Sequence, residues 1–315
     1  MQKSSALLKK QTRKWRKPFW SRSSMAEQES YTFKVVGSNP TGTTLIMNKK
    51  TIKKFQKTIW DFYTVNKRDF PWRNTKNPYH ILVSEIMLQQ TQADRVIRYY
   101  KRFIKRFPDF KSLAKAEFGD IYGLWQGLGY NKRGLALKRI AEKIVKEYKG
   151  KLPSDISLLE EFPGIGPYTA RAISIFSFNT PVACIETNIR RVFIHAFFPS
   201  KKSVDDKEIL KVAELALDIK NPREWNWALM DYGAYLKSQV PNPNRQHKNY
   251  SIQSKFEGSL RQIRGAVLRN LMAGKMTKVQ LIKTVGKDAG KTEIVISALE
   301  KEGLIAYSKK SYSLK

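Results

Sequence analysis

The sequence predicts an all-α core followed by a small winged-helix-like module, on three observations. From Met47 onward apolar residues recur at helical spacing. Pro71, Pro78, Pro108, Pro153, Pro163 and Pro181 interrupt that pattern at short loops. Alternating β-branched runs are few, and the last of them, Ile305 to Leu314, follows a series of short helical segments.

The elements follow in order. Thr51 to Val65 sets Ile52, Phe55, Ile59, Trp60 and Phe62 on one helical face, and Phe70-Pro71-Trp72-Arg73 ends the pattern. Ile81 to Leu88 reads ILVSEIML, apolar on nearly every side apart from Ser84 and Glu85, and so predicts a buried helix in which a glutamate is anomalous. Thr91, with Asp94 three residues on, predicts a helix cap opening a second helix through Arg106, with Gln89-Gln90 at the turn between the two. Leu158 to Phe176 reads as helix, Pro163-Gly164-Ile165-Gly166 hairpin, helix, with glycines where positive φ or close backbone approach is required. Such a turn exposes amides at a helix N-terminus, which attract a phosphate oxygen rather than read a base. A PGIG string alone is weak, since many helix hairpins use glycine. Beyond residue 255 come a helix from Ser259 to Met272, one starting at Thr277, one starting at Thr292, and a hairpin about Lys309-Lys310, an order that suits either a helix in a DNA groove or a docking module.

Composition narrows the function. The chain of 315 residues is long enough for two domains, or for one with appendages, and is 41% hydrophobic, enough for a packed core. Its 59 Lys and Arg against 27 Asp and Glu give a formal net charge of +32, which points to a polyanionic partner. Nucleic acid fits better than membrane, because no run of about 18 apolar residues occurs. One cysteine, Cys184, excludes internal disulfides, Cys-rich zinc sites and a cysteine-ligated iron-sulfur cluster, and suits a reducing cytoplasm. Residues 1–46 carry a net charge of +7, a basic run from Lys9 to Lys17, and no apolar core of a secretory signal. Gly37-Ser38-Asn39-Pro40 back-translates as GGU-UCG-AAU-CC, the T-arm of a transfer RNA. The expectation is a native start at Met47, marked by a cloverleaf in the nucleotides upstream; the alternative is a flexible DNA-binding arm.

Five ordered motifs between Phe70 and Gly233 then point to a family: FPWR (Phe70 to Arg73), SEIMLQQTQ (Ser84 to Gln92), LWQGLGY (Leu124 to Tyr130), FPGIGPYTA (Phe162 to Ala170) and ETNIRRV (Glu186 to Val192). The chain resembles the MutY branch of the helix-hairpin-helix DNA glycosylases. The resemblance implies a two-lobed fold over residues 47–254, with a six-helix barrel lobe at about 72–180 and a terminal-helix lobe of 47–71 plus 181–254. Residues 255–315 are expected to form the winged-helix-like module, and 1–46 to be a disordered or non-native extension.

By the same resemblance Glu85 is the acid that protonates the departing base. The residues agree, since a carboxyl in an apolar helix has its charged form disfavoured and becomes a proton donor nearer neutrality. The bland alternative is a buried glutamate satisfied by backbone donors. Glu186 stands where the family has an aspartate that stabilises the oxocarbenium-like sugar, which keeps the charge but adds a methylene and changes the carboxylate separation. Asn188 and Tyr168 match positions that orient substrate and carboxylate. Tyr168 also stands where bifunctional relatives similar to endonuclease III carry a Schiff-base lysine, so the resemblance implies a monofunctional enzyme unless Lys132 or another amine substitutes.

Gln90 matches a wedge that fills the space of an extruded base, and Tyr130 an intercalating aromatic, whose alternative is a core tyrosine. Gln89, Thr91, Gly127, Leu128, Gly129, Pro163, Gly164, Ile165, Gly166, Arg190 and Arg191 complete the implied DNA-binding set. The carbonyls of the 163–166 hairpin suit a monovalent cation; no catalytic metal is indicated. Two family features are missing. Where relatives place four cluster cysteines this chain has Lys237 followed by SQVPNPNRQ, a segment expected to be held by apolar packing and salt bridges. The Nudix-like C-terminal domain is not recognisable either. The implied partner is duplex DNA with a mismatched or oxidised base pair, bound by a cytoplasmic, nucleoid-associated monomer. Adenine opposite 8-oxoguanine or guanine leads as substrate. Thymine or uracil opposite guanine, and a DNA binder without catalysis, are the alternatives.

Overall fold

The computed structural model describes residues 49–252 and 255–315, so the expectations for residues 1–46 lie outside the described residues. The described chain folds as α1 (Lys49–Asn66), a 3-10 turn (Pro71–Arg73), α2 (Pro78–Leu88), α3 (Ala93–Arg106), α4 (Phe110–Ala114), α5 (Phe118–Trp125), α6 (Lys132–Glu147), α7 (Ile156–Glu160), α8 (Pro167–Phe178), α9 (Thr187–Phe197), α10 (Asp206–Leu215), α11 (Pro222–Gln239), a 3-10 turn (Pro243–Gln246), α12 (Leu260–Ala273), α13 (Lys278–Val285), α14 (Ala289–Lys301), β1 (Ile305–Ser308) and β2 (Ser311–Leu314). Among the described residues the only sheet is the antiparallel pair β1 and β2, so the all-α expectation is met.

These residues form two compact units, each with its own interior. One comprises the described residues through Arg68 together with Ala183–Tyr250. The Phe55 ring of α1 lies 5.4 Å from Phe193, 4.9 Å from Phe197 and 6.0 Å from Trp225, an aromatic cluster joining α1, α9 and α11. Arg68 Nε donates to the buried Asp231 carboxylate at 2.6 Å and ties the end of α1 to α11. The segment lacking the cluster cysteines is pinned differently from expectation, chiefly by amide hydrogen bonds. Asn244 Nδ2 donates to Thr187 O at 2.9 Å, Gln246 Nε2 donates to Lys201 O at 2.8 Å, and His247 pairs with Val204 in a parallel bridge. One side-chain contact, His247 Nε2 to Asp206 Oδ1 at 3.2 Å, supplements them.

The other unit is Asp69–Val182 with Ser251–Lys315. Its core is continuous from Phe70 through Trp125 and Phe162 to Val267, Leu299 and Ile305, so the C-terminal helices share an interior with α2 to α8. The last three helices are each capped by a side chain: Ser259 for α12, Thr277 for α13 in a capping box with Gln280, and Asp288 for α14. The third departs from expectation. The helix expected to start at Thr292 begins a turn earlier, because Asp288 accepts the Lys291 amide while the Thr292 hydroxyl bonds back to Asp288 O. Lys309 and Lys310 both adopt positive φ, 48° and 61°, the conformation of a two-residue turn that matches the twist of a hairpin.

Thr91 is likewise not a helix cap. The N-cap of α3 is Gln92, without a side-chain cap, and the Thr91 hydroxyl instead donates to Gln89 O and accepts from Arg133.

Arg133, near the start of α6, accounts for that rearrangement. It is 8% exposed, and its guanidinium donates to the carbonyls of Ile86, Met87 and Gln89 at the end of α2 and to those of Gly129 and Tyr130 in the loop before α6. A helix C-terminus leaves its last carbonyls unpaired and carries a partial negative charge, and one buried cation answers both. Burial pulls the Arg133 pKa down to about 10, which leaves it charged at neutral pH. Replacing it by an apolar side chain strands several buried carbonyls at once. R133M is expected to lower unfolding free energy by about 3 kcal/mol in urea titration; a loss under about 1 kcal/mol would show that water satisfies those carbonyls.

Candidate active site

Both units carry residues that the sequence marked, and each unit's geometry is built locally. In the unit with α2, the Asn77 side chain accepts the Tyr79 amide and Pro78 occupies the first helical position, which starts the helix. Every residue from Ile81 to Met87 is buried, and Glu85 among them is only 7% exposed. The helix stops at Leu88 because Gln89 leaves the helical region at ψ 115° and Gln90 takes a φ of 54°. That pair stands at the turn between α2 and α3, as expected. The Gln89 amide nitrogen donates to Gly164 O at 3.0 Å and to the Thr169 hydroxyl at 3.1 Å, so it latches the end of α2 to the 163–166 hairpin. Gln90 is exposed.

The hairpin joins α7 to α8. Gly164 has a φ of +81°, and a Cβ there would lie 3.2 Å from Ala136 Cβ, so both backbone conformation and close packing favour glycine. Gly166 differs from expectation: it is extended at φ −99°, and a Cβ would meet nothing within 4 Å. Its role is that of an N-cap for α8, with Pro167 in the first turn. Among the described residues the Gly164 and Gly166 amides donate to no protein acceptor, whereas Ile165 N bonds to Phe162 O and the Ile165 side chain is buried. Tyr168 follows on the first turn of α8, half-buried. Pro163 lies at the hairpin's entry. The Gly164 carbonyl, one of those suited to a cation, already accepts from Gln89.

The loop of Gly127 to Tyr130 is held from beneath. Trp125 Nε1 donates to Gly129 O at 3.0 Å, Arg95 donates to Gly127 O, and Leu128 is buried. Gly127, Gly129 and Tyr130 all have positive φ, 92°, 84° and 49°. A Cβ at Gly127 would lie 2.6 Å from the Tyr99 hydroxyl. Tyr130 is 39% exposed, with its ring 5.3 Å from the Arg133 guanidinium, so it is not a core tyrosine. Lys132, the candidate amine, forms an ion pair with Glu302 at 2.9 Å.

In the unit with α9, Glu186 is the N-cap. Its Oε1 accepts the amides of Asn188 at 2.7 Å and Ile189 at 2.8 Å, and its Oε2 accepts Asn188 Nδ2 at 3.2 Å. Asn188 Oδ1 accepts from Arg191 Nη1 at 2.8 Å, and the same nitrogen donates to Gly233 O at 2.6 Å. Arg191 is therefore buried beneath Asn188 as a brace rather than displayed to solvent. Arg190 makes a two-pronged contact with Asp206, both bonds at 2.7 Å. A Cβ on Gly233 would fall 2.2 Å from Asn188 O, so α11 can approach α9 only because residue 233 is glycine.

Gly233 and Arg133 are positioning residues that the sequence reading passed over as such. The signal for Arg133 was an arginine one residue before Gly134-Leu135, on what becomes the buried face of α6. Gly233 carried no local signal, because its helix is otherwise an ordinary run.

Residues 83–216 match the family model of HhH-GPD superfamily base excision DNA repair proteins. A thymine/uracil-DNA glycosylase of Methanothermobacter thermautotrophicus is 32% identical over 192 residues, covering 60% of this chain and 86% of that relative. The chain belongs to the HhH-GPD superfamily. An adenine DNA glycosylase of Buchnera aphidicola subsp. Schizaphis graminum (strain Sg) is 35% identical over 191 residues, 59% of this chain and 55% of the relative. The chain spans about half the length of the adenine DNA glycosylases of Buchnera that it matches. The solved structure of a thermostable thymine-DNA glycosylase superposes with a TM-score of 0.53 at 29% identity, covering 59% of this chain and 87% of that one.

Some relatives in the HhH-GPD superfamily carry an iron-sulfur cluster, which this chain cannot ligate through cysteines. It has a single thiol, and Cys184 is buried beside Asn226 Oδ1 at 3.3 Å. Among the described residues no group of three or more His, Cys, Asp and Glu side chains is arranged for a metal ion.

The carboxyl at 186 has a testable signature. Burial raises its pKa above the ordinary value, against the pull of the Asn188 and Ile189 amides and of the Arg191 and Arg190 guanidiniums. A raised folded-state pKa contributes stability below the unfolded-state value, and that contribution is lost as pH rises through the folded-state value. Urea unfolding between about pH 4 and pH 8 is therefore expected to show wild type losing stability relative to E186Q as pH rises. The opposite slope would mean that the two amides outweigh desolvation.

Proposed function

We propose that the protein is a monofunctional base-excision DNA glycosylase, with Glu85 as the acid that protonates the leaving base. The observation that carries this is the burial of Glu85 within the apolar helix α2. A carboxyl held at that place in an apolar helix suits proton donation to a base withdrawn from its stack. By the family resemblance, Glu186, fixed by two backbone amides and Asn188, is the carboxyl assigned to positive charge developing on the sugar. Tyr168 brings no amine to the site, and the ion pair of Lys132 with Glu302 argues against its acting as a nucleophile. Gln90 and Tyr130, both exposed on positive-φ turns, are suited to enter a duplex, and the unsatisfied amides of the 163–166 hairpin to hold a backbone phosphate. The partner is duplex DNA, bound by a monomer in the cytoplasm. The net charge of +32 makes that binding salt-sensitive.

Adenine opposite 8-oxoguanine or guanine is the substrate we favour, in keeping with the adenine DNA glycosylase relatives. Thymine or uracil opposite guanine is a second reading, favoured by the thymine/uracil-DNA glycosylase relative that this chain covers over 86% of its length.

Duplexes containing A:8-oxoG, A:G, T:G and U:G, scored for base release with and without alkali, separate these readings. Strand breaks are expected only after alkali. E85Q is expected to slow single-turnover release by about a thousandfold while duplex affinity stays within about threefold. Release unimpaired in E85Q refutes the assigned acid, and no release by wild type from any duplex favours a DNA binder without catalysis.

A further inference from the structure

We propose that the C-terminal helices complete a second phosphate pocket for the DNA backbone beside the 163–166 hairpin, an inference that rests on the glycosylase reading above. A pocket of about 400 Å³ opens there, and its charged lining is Lys132, Arg133, Arg139, Lys301 and Glu302. Four cations thus face one carboxylate, and that carboxylate is spent. Glu302 pairs with Arg264 Nη2 and with Lys132 Nζ at 2.9 Å.

The remaining three cations have no counter-ion. The buried guanidinium of Arg133 bonds only to carbonyls and the Thr91 hydroxyl, so its hydrogen bonds are satisfied while its charge is not. Arg139 and Lys301 are exposed, and among the described residues neither forms an ion pair. Gly303, at φ +74°, places the chain after α14 so close to Arg139 that a Cβ would lie 3.1 Å from its Nη2. Lys301 and Arg139 therefore line one cavity.

An anion matches this set of uncompensated cations, and the location beside the hairpin selects a phosphodiester. Gly164, whose amide donates to no protein acceptor, forms part of the same wall. The other walls, Ile86, Leu135, Ala136 and Pro163, present no side-chain donors to a base edge, and the Gln89 amide nitrogen is already committed to Gly164 and Thr169. Recognition in this pocket rests on charge rather than on sequence. The end of α14 is thereby part of the DNA-binding surface, adding the Lys301 charge to what the hairpin offers.

The test compares two double variants of the full chain that remove the same charge. R139A/K301A empties the pocket of its two exposed cations; K275A/K291A removes two exposed lysines outside it. For an undamaged duplex, R139A/K301A is expected to raise Kd about tenfold and to reduce the slope of log Kd against log salt by about one, with an unchanged Tm. K275A/K291A should stay within about twofold of wild type. Equal losses in the two doubles, or none in R139A/K301A, overturn the pocket while the glycosylase reading stands. Displacement of the wild-type duplex by millimolar inorganic phosphate at constant ionic strength, absent in R139A/K301A, makes this a free-anion site and overturns the assignment to the backbone. If wild type binds no duplex and releases no base, the glycosylase reading fails first and the pocket falls with it.

Discussion

One buried guanidinium organises the unit that carries α2. Arg133 takes the carbonyls where α2 ends and those of the loop before α6, and through Thr91 it reaches the turn into α3. Helix termini are where backbone groups go unpaired, and an apolar interior makes each such group costly. A single planar fork of donors settles several at once, which is why an arginine rather than a lysine suits the position. The consequence is a stiff junction: the helix bearing Glu85, the exposed Gln90 turn and the Gly127 to Tyr130 loop are all referred to the same group. Gln89 adds the hairpin to that set through Gly164 and Thr169.

The other unit reaches comparable rigidity by a different route. Glu186 spends its carboxylate on capping α9, and Asn188 is held between Glu186 and Arg191. A longer side chain than aspartate can still cap, because its carboxylate folds back onto the amides two and three residues ahead. Arg191 in turn rests on the Gly233 carbonyl, and α11 comes near enough for that only because a Cβ is missing at 233. This chain of dependence makes Gly233 a positioning residue for Asn188 although its own chemistry is nil.

The segment after α11 is tied down without cysteine ligation. Without thiolates, Asn244, Gln246 and His247 tie the 3-10 turn to α9, the loop after it and α10 by neutral amide bonds and one histidine contact. Each is weaker than a metal bond, but together they pair backbone carbonyls that would otherwise lack partners. The C-terminal helices make a similar point, since they share their core with α2 to α8 and place Glu302 against Lys132.

Read alone, the sequence determined whatever is encoded within a turn or two of chain. The helical spacing of α1 and α2, the burial of Glu85 by its neighbours, the glycine at the positive-φ position of the hairpin and the two-lysine turn of the β hairpin were all legible because period, steric freedom and turn preference act over a few residues. Where two local caps competed, sequence was not enough. Thr91 and Thr292 both look like helix starts, yet Arg133 claims the first hydroxyl and Asp288 displaces the second. Tertiary structure alone decided that Arg133 braces α2, that Gly233 admits α9, that Arg191 faces inward and that Glu302 neutralises Lys132. Each of those depends on atoms brought together from distant parts of the chain, where packing distance and the pairing of buried charge, not local preference, choose the partner.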